Sequence, residues 1–182
     1  MRILVLADID DWHWTHGCGE ADVVVSCGDV ADSLIREAAA SHDCRDILAV
    51  KGNHDMPAPF PAGIRDLHLS TCEVGGIVFG GFNGCWRYKP RGHFLYDQHE
   101  VAKLLAGFPE VDVFVSHNSP RGIHDREDDV HTGFEALNSL IGRARPALLI
   151  HGHQHVNRES AAGATTIIGV FGHRMVEIPS LK

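Results

Sequence analysis

Residues 47–55 read ILAVKGNHD, a short apolar run that passes through Lys51 and Gly52 into Asn53, His54 and Asp55. An apolar run of this length, bounded by turn residues, is typical of a strand that is buried on both faces. Glycine at the turn lets the backbone bend sharply and come close to a ligand. The stretch therefore predicts a central strand of an α/β sheet whose carboxyl end presents polar side chains.

Similar apolar runs recur along the chain, and helical patterns lie between several of them. Strands that alternate with helices indicate an α/β fold with parallel pairing. The runs at 164–170 and 174–178 predict an antiparallel meander that closes a single domain spanning residues 1–182. The other predicted strands are 3–7, 23–26, 47–50, 77–80, 111–115 and 147–150, and the predicted helices are 33–40, 97–106 and 133–143.

Composition excludes several classes of protein. The formal net charge of -8 argues against nucleic-acid binding driven by bulk electrostatics, because such binding depends on neutralised phosphates. No apolar run approaches the ~18 residues of a membrane span, and residues 1–8 lack the features of a signal peptide, so we expect a cytoplasmic protein without a membrane partner. Five cysteines without a C-x-x-C pair favour neither a disulfide framework nor a thiolate zinc site.

Five of the predicted strands run directly into Asp, Asn or His residues. Ligands of α/β sheets bind at the carboxyl ends of strands, so we expect these side chains to meet. A single instance would be explained by a helix cap or a turn, but five in order indicate a metal site. Carboxylates with neutral imidazoles suit Mn, Fe, Zn or Ni. The clusters are Asp8-Ile9-Asp10, Gly28-Asp29, Gly52-Asn53-His54-Asp55, His117 and Gly152-His153-Gln154-His155.

The order of these motifs over residues 8–155 resembles the calcineurin-like metallophosphoesterase superfamily. The resemblance implies a four-layer α/β/β/α sandwich of two mixed β-sheets flanked by helices. It also implies two divalent metal ions, for which we expect Mn, with Fe, Zn, Ni or Mg as alternatives. By matching positions, Asp29 bridges both ions, one ion is bound by Asp8, Asp10 and His155, and the other by Asn53, His117 and His153.

The same resemblance implies that His54 is the catalytic histidine and protonates the leaving oxygen. Asp32 lies where relatives keep a carboxylate that orients this histidine, and Asp55 is the competing candidate. His151 is interpreted as a structural residue or as support for the ligating imidazoles, a role that groups around a metal site often have.

One position departs from the family pattern. The first motif is usually Asp-x-His, whereas this chain has Asp8-Ile9-Asp10. Asp10 remains a metal-capable ligand, but a harder one, which would shift preference toward Mn or Mg or loosen the first site. The alternative is that Asp10 points away and that His13 or water takes its place.

These groups predict a phosphoester hydrolase. Two adjacent cations neutralise the phosphoryl oxygens and lower the pKa of a bridging water, which attacks phosphorus as hydroxide. We expect a phosphodiesterase that acts on a nucleotide or on another small phosphoester, with a nucleic-acid end as a further candidate. The alternatives are a phosphomonoesterase and a non-catalytic scaffold with the same fold, as in a retromer coat subunit of this superfamily. The sequence specifies no oligomeric state.

Two loops outside the ligand motifs carry candidate substrate contacts. Residues 83–96 hold a basic and aromatic cluster, in which we expect Arg87 and Arg91 to bind an anionic substrate and the aromatics to stack on a base. A connection with core-packed aromatics and solvated charges is the alternative. Residues 118–133 form a long loop directly after His117, which would form a wall or lid of the site or, as the alternative, a solvated surface. His131 within it is the third predicted substrate-binding residue, because relatives in the family carry a similar His-x-Gly segment.

Overall fold

Two mixed β-sheets form the centre of the computed structural model, which describes residues 1–178. In spatial order, the first sheet contains β13 (Gly172–Glu177), β1 (Arg2–Ala7), β2 (Val23–Ser26), β3 (Ile47–Ala49) and β4 (Arg65–Asp66). The second contains β11 (Arg158–Ala162), β12 (Thr165–Gly169), β10 (Leu148–His151), β9 (Val113–Ser116), β6 (Ile77–Phe82) and β5 (Thr71–Val74). A short parallel pair, β7 (Cys85–Trp86) and β8 (Leu95–Tyr96), lies apart from both.

The alternation of side chains along the strands separates the layers. In β1, Ile3 and Val5 face the core between the two sheets, whereas Leu4 and Leu6 face the helix on the outer side. In β10, Ile150 faces the same inter-sheet core. Strands buried on both faces read as continuous apolar runs, which is why β1 and β10 show no polar alternation.

Three helices cover the outer faces. Helix α1 (Asp32–Ser41) packs on the first sheet, and α2 (Gln98–Leu105) and α3 (Glu135–Ala144) pack on the second. Asp97 begins α2 with a capping box that is completed by the Glu100 carboxylate. The predicted four-layer α/β/β/α sandwich of two mixed sheets is therefore confirmed.

The predicted meander at the end of the chain is wrong. Strand β12 pairs antiparallel with β11, which the sequence did not predict, and parallel with β10. Strand β13 leaves that sheet and pairs antiparallel with β1 in the other one. A Gly-containing turn between two strands determines only where the chain bends. Whether the next strand pairs with its predecessor or joins the other sheet depends on which strand edge is unpaired, and local sequence does not show this.

The pairing directions position the polar clusters. Strands β1, β2 and β3 are parallel neighbours, and β9 and β10 are parallel neighbours in the second sheet. Their carboxyl ends therefore lie at one end of the sandwich, where the predicted ligands follow. Within residues 1–178, no helix has the length and apolar character needed to cross a bilayer.

Candidate metal centre

Hydrogen bonds between the two sheets join the strand ends. His117, after β9, places its Nδ1 2.8 Å from the carbonyl oxygen of Cys27, which follows β2. The backbone N–H of His153, after β10, donates to Asp8 Oδ2, after β1, at 2.8 Å. These contacts bring residues more than 80 positions apart in sequence into one cluster at the carboxyl edge.

The imidazole of His117 is oriented for a cation. A carbonyl oxygen only accepts, so Nδ1 carries a proton that it donates to Cys27, and Nε2 of the neutral ring has a lone pair. His117 Nε2 lies 3.1 Å from Asn53 Oδ1 and 3.4 Å from Asp29 Oδ2. Three acceptor atoms thus converge, and either a proton or a metal ion must lie among them.

Asp8 supplies a second indication that metal fits. Its Oδ1 is buried and has no hydrogen-bond partner within residues 1–178, although an unpaired buried carboxylate oxygen is costly. His155 Nε2 lies 3.6 Å from this oxygen. Ligand atoms of Asp8, Asp29 and His117 all lie within 4.8 Å of one another, which makes a group that is able to hold a metal ion.

The charges of this group depend on each other. Burial opposes ionisation of Asp29, but the charge and hydrogen bond of His117 lower the pKa of that carboxyl to about 2. Burial likewise opposes protonation of His117, but Asp29 raises the pKa of the imidazole to about 9. Burial raises the pKa of Asp8, with the nearby Asp29 adding to the effect. The negative charge is therefore compensated only in part by the protein itself.

Backbone geometry at the site is unusual. Asp8, Asp29, His153 and His155 have φ values of 54°, 54°, 63° and 50°, the left-handed region that non-glycine residues rarely adopt. Each such residue costs of order 1 kcal/mol, and this strain is characteristic of functional sites. It turns four predicted ligands out of their strand directions toward the shared edge.

Asp55 supports the backbone of the ligand loops. One of its carboxylate oxygens accepts the N–H of Gly52 at 2.7 Å and the N–H of Asp29 at 2.9 Å. Asp55 therefore accepts hydrogen bonds from backbone N–H groups and makes no hydrogen bond to the His54 side chain within residues 1–178. The His54 side chain is exposed, and its backbone N–H donates to Asp29 Oδ1 at 2.8 Å.

Asp32 and Asp10 lie differently from the other predicted residues. Asp32 pairs with the buried Lys51 ammonium at 3.4 Å instead of with His54, and Lys51 also lies 3.8 Å above the Phe60 ring. Asp10 is exposed and makes no hydrogen bond or ion pair within residues 1–178. His13, the predicted substitute for Asp10, lies 3.2 Å from Glu37. The roles of Asp32 and Asp10 stay predictions.

In the basic and aromatic cluster of residues 83–96, one of the two predicted substrate-binding arginines is already paired with carboxylates. Arg87 pairs with Asp97 at 3.2 Å and Glu100 at 3.0 Å at the start of α2, so its guanidinium is already engaged. Arg91 is exposed. The hydroxyl of Tyr88, one of the aromatic residues of this cluster, accepts a 3.4 Å hydrogen bond from Asn53 Nδ2.

Residues 118–133 are attached to the turn that carries the last two predicted ligands. The buried Gln154 amide donates to Asn118 Oδ1 at 3.1 Å, to Ser119 Oγ at 3.0 Å and to the His131 carbonyl at 3.0 Å. The loop is therefore built onto the site, and His131 lies beside it. Its ring centroid is 5.2 Å from that of His153.

His151 belongs to a chain of buried hydrogen bonds beside the ligand turn, and its role as a structural residue or as support for the ligating imidazoles stays a prediction. It is fully buried, which lowers its pKa to about 3, so it stays neutral. Its Nδ1 donates to the Gly152 carbonyl at 2.9 Å, and its Nε2 accepts from His124 Nδ1 at 2.9 Å. His124 Nε2 in turn lies 2.9 Å from Ser160 Oγ. This series of hydrogen bonds connects the 118–133 loop to β11, behind the turn that carries His153 and His155.

Other contacts of the site were missed by sequence reasoning. Phe171 is 44% exposed and stacks on His155 with ring centroids 4.8 Å apart. The buried Cys85 thiol lies 3.2 Å from Asn53 Oδ1. No local motif marks these residues, because each reaches the site through a separate strand pairing. For Phe171, the sequence signal was its position directly after the predicted strand 164–170, where strand ends carry the ligands.

Carboxylate, amide and imidazole groups at the strand ends of an α/β/β/α sandwich define a metal-binding enzyme fold of the phosphoesterase type. The chain belongs to the calcineurin-like phosphoesterase superfamily, whose domain model matches residues 1–172. A comparison with curated proteins gives no significant match.

Solved structures with the same fold are distant in sequence. The phosphopantetheinyl hydrolase of Mycobacterium tuberculosis has a TM-score of 0.62 at 13% identity, covering 99% of this chain and 97% of that one. TT1561 of Thermus thermophilus has a TM-score of 0.53 at 14% identity, covering 92% and 88%. A double mutant of Vps29 from Entamoeba histolytica has a TM-score of 0.50 at 15% identity, covering 100% and 88%. These likenesses show the shared fold.

Proposed function

We propose that the protein is a dinuclear metal-dependent phosphodiesterase that acts on a nucleotide or on another small phosphoester. The observation that carries the proposal is the convergence of side-chain groups that are each able to bind a cation. His117 Nε2, Asn53 Oδ1 and Asp29 Oδ2 meet at one point, and the unpartnered Asp8 Oδ1 lies beside them. Such an arrangement is stable when a cation replaces the missing hydrogen bonds.

The predicted ligands divide between the two ions as the family pattern implies. Asp8, Asp10 and His155 would hold one ion, and His117, His153 and Asn53 the other, with Asp29 between them. We propose Mn as the native metal, because the donors mix imidazole nitrogen with carboxylate and amide oxygen. When bound, the ions would neutralise the phosphoryl oxygens and supply a water of lowered pKa as nucleophile.

The surrounding residues set up this chemistry. The Cys27 carbonyl fixes the tautomer of His117, and Asp55 holds the loops that carry Asp29 and Asn53. Asn53 contributes a neutral oxygen, which limits the negative charge around the ions and keeps them effective in withdrawing electrons. In the 83–96 loop, Arg91 is exposed and the Tyr88 hydroxyl lies beside Asn53, so both are available to a substrate.

The decisive experiment measures hydrolysis of bis-p-nitrophenyl phosphate and p-nitrophenyl phosphate by metal-stripped protein, with and without added Mn. Metal-dependent release that is faster for the diester supports a phosphodiesterase, whereas preference for the monoester indicates the phosphomonoesterase alternative. An Asp29→Asn variant is the control, since it removes charge from the predicted bridging position with little change in volume. Equal turnover by this variant would contradict the dinuclear site.

A substrate screen follows from the same site. Cyclic nucleotides, dinucleotides and oligonucleotide ends are the first group, since the Tyr88 hydroxyl lies beside Asn53 and Arg91 of the same loop is exposed. The name of the Mycobacterium neighbour, phosphopantetheinyl hydrolase, adds phosphopantetheinyl esters as a second group. Arg91→Ala is expected to weaken binding of an anionic substrate, and Arg87→Ala to act mainly through its pairing with Asp97 and Glu100.

One observation favours a non-catalytic scaffold as second candidate. Asp10 stands where the family usually has a histidine ligand and is exposed without a partner within residues 1–178. The first metal would then have only Asp8, Asp29 and His155. Titration of metal-stripped protein with Mn distinguishes the candidates, since an enzyme of the proposed type binds two ions and a protein with a degenerate first site binds one.

A further inference from the structure

The segment that follows β6, residues 83–88, runs beside the loop that carries Asn53. The Asn83 side chain accepts the Lys51 backbone N–H through its Oδ1 at 2.8 Å, and the backbone N–H of Gly84 donates to the Lys51 carbonyl at 2.7 Å. Both polar groups of the Lys51 backbone are thus paired with this segment. The pairing holds residues 83–88 next to a predicted metal ligand that lies two positions after Lys51.

Two side chains of the segment contact the Asn53 amide. Cys85 is fully buried, and its Sγ lies 3.2 Å from Asn53 Oδ1. The Trp86 carbonyl is a second acceptor near this thiol, at the longer distance of 3.5 Å. The Tyr88 hydroxyl lies 3.4 Å from Asn53 Nδ2. A thiol is a donor and a phenolic oxygen is able to accept, so the two contacts match the two ends of the amide.

The orientation of this amide matters, because its oxygen accepts and binds cations whereas its NH₂ group only donates. Asn53 Oδ1 lies 3.1 Å from His117 Nε2, so the oxygen is the end that faces the predicted centre. A rotation of the amide by half a turn would direct the NH₂ group at His117 and at the cation. Donation from Cys85 to Oδ1 and acceptance by Tyr88 from Nδ2 both favour the orientation that is observed.

The segment is itself attached to other elements. Cys85 and Trp86 form β7, which pairs with β8, and Arg87 joins the start of α2 through two carboxylates. A Cβ at Gly84 would lie 2.0 Å from the Phe94 carbonyl oxygen, so the backbone passes close to the residue that precedes β8. The side chains that contact Asn53 are therefore held on paired backbone and not on a free loop.

We infer that the Cys85 thiol and the Tyr88 hydroxyl are positioning groups, which orient the Asn53 amide so that its oxygen binds one of the two proposed ions. The inference rests on the proposed function, because it concerns a ligand of the proposed centre. It gives the start of the 83–96 loop a role that requires no substrate. Groups of this kind typically change metal affinity by about 10–100-fold when they are removed.

The test measures Mn binding to metal-stripped protein by calorimetry, in the absence of substrate. Cys85→Ala is expected to weaken the binding of one of the two Mn ions by about 10-fold or more and to leave the other unchanged. Tyr88→Phe keeps the ring, removes the acceptor of Asn53 Nδ2 and should act in the same direction. Cys85→Ser supplies a hydroxyl donor of similar size and should restore most of the affinity that Cys85→Ala loses.

Matched controls remove the same groups elsewhere. Cys44→Ala removes a buried thiol that donates to the Asp46 carbonyl at 3.3 Å, and Tyr96→Phe removes a hydroxyl that makes no hydrogen bond within residues 1–178. Both should bind Mn as the wild type does. Hydrolysis of the preferred nitrophenyl ester at increasing Mn adds a second readout. Turnover that Cys85→Ala loses at low Mn should return at saturating Mn, which a general folding defect would not allow.

Two results would overturn the inference. The first is wild-type Mn affinity in both Cys85→Ala and Tyr88→Phe. The second is a loss in Cys85→Ala that Cys85→Ser shares in full, since the residue would then act through the size and packing of its sulfur. In either case the wild type still binds two Mn ions and hydrolyses the ester, so the proposed function stands. A wild type that binds no Mn contradicts the proposed function together with the inference.

Discussion

Gly52 shows how closely the backbone approaches the metal centre. A Cβ at this position would lie 2.1 Å from Asp29 Oδ1 and 2.7 Å from His117 Cε1, well inside contact distance. Glycine is therefore required here by space. The residue joins a buried strand to the Asn53 turn, so the ligands on both sides of it depend on its small size.

We predict that Gly52→Ala lowers Mn affinity by more than about 10-fold, because a displacement of Asn53 or Asp29 by overpacking costs typically 1–3 kcal/mol. Calorimetric titration of metal-stripped protein measures the change. Gly142→Ala in α3 is the matched control, since no atom lies within 4 Å of its added Cβ. That variant should keep Mn affinity and gain about 0.5–1 kcal/mol of stability. Unchanged Mn binding by Gly52→Ala would show that the loops relax freely.

The His117–Asp29 pair makes the stability of the metal-free protein depend on pH. The pKa of His117 rises from 6.5 to about 9 on folding, so its stabilising contribution is fully present below pH 6.5 and is lost as pH rises through 9. The pKa of Asp29 falls from 3.8 to about 2, so its contribution is present above pH 3.8 and is lost as pH falls toward 2.

We expect the melting temperature of protein in a chelator to fall by several degrees between pH 6.5 and 10. Differential scanning calorimetry at a series of pH values measures this slope. His117→Gln should flatten it, because the titrating partner of Asp29 is gone. His99→Gln, at an exposed position of α2, should keep the wild-type slope. An identical alkaline slope in the two variants would remove His117 as its source.

At the scale of elements, the 118–133 loop owes its position to one side chain from the facing turn. The Gln154 amide reaches three acceptors in the loop and is fully buried. This explains how a loop with several charged residues is ordered beside the metal centre. Sequence patterns left a wall or lid and a solvated surface as alternatives for this loop, because no local motif indicates which side chain holds it.

Gln154→Ala should cost about 1–3 kcal/mol, because buried acceptors lose their donor. Amide hydrogen exchange in 118–133 should accelerate, while β1 and β2 keep their protection. Asn157→Ala removes a side chain that bonds only to the backbone of Phe171 and should leave exchange in the loop unchanged. Wild-type exchange in Gln154→Ala would mean that the remaining loop contacts suffice.

Across the whole molecule, the predicted ions would join the two sheets. Asp8, Asp29 and Asn53 follow strands of the first sheet, whereas His117, His153 and His155 follow strands of the second. A ligand that binds only the folded state stabilises it by mass action, by about 2.7 kcal/mol at 100-fold above its Kd. Metal binding should therefore stabilise the packing of one sheet on the other.

We predict that Mn raises the melting temperature of the wild type and fails to do so fully for Asp8→Asn. Without metal, Asp8→Asn should be as stable as the wild type or more stable, because burial raises the pKa of Asp8 and its charge is poorly compensated. Thermal melts with and without Mn give both values. Asp10→Ala, run in parallel, decides whether Asp10 is a ligand, since an unchanged Mn effect in this variant excludes it. A stability loss for metal-free Asp8→Asn would contradict this account.

The sequence by itself determined the layered α/β fold and the approximate bounds of its main strands and helices. Apolar runs of four to six residues bury on both faces wherever they lie, and the polar residues after them collect at strand ends. The ordered motifs from Asp8 to His155 specified the family, because each lies within a few consecutive residues.

Only the tertiary structure decided how distant segments meet. It moved β13 to the edge of β1, engaged Asp32 with Lys51 and Arg87 with α2, and placed Tyr88 and Phe171 at the ligands. It also set the Cys85 thiol beside Asn53. These contacts join residues through strand pairing and buried side chains, and the energy of such a contact depends on the geometry of both partners. Local sequence carries the chemistry of each group, whereas the packing of two sheets sets the distances between them.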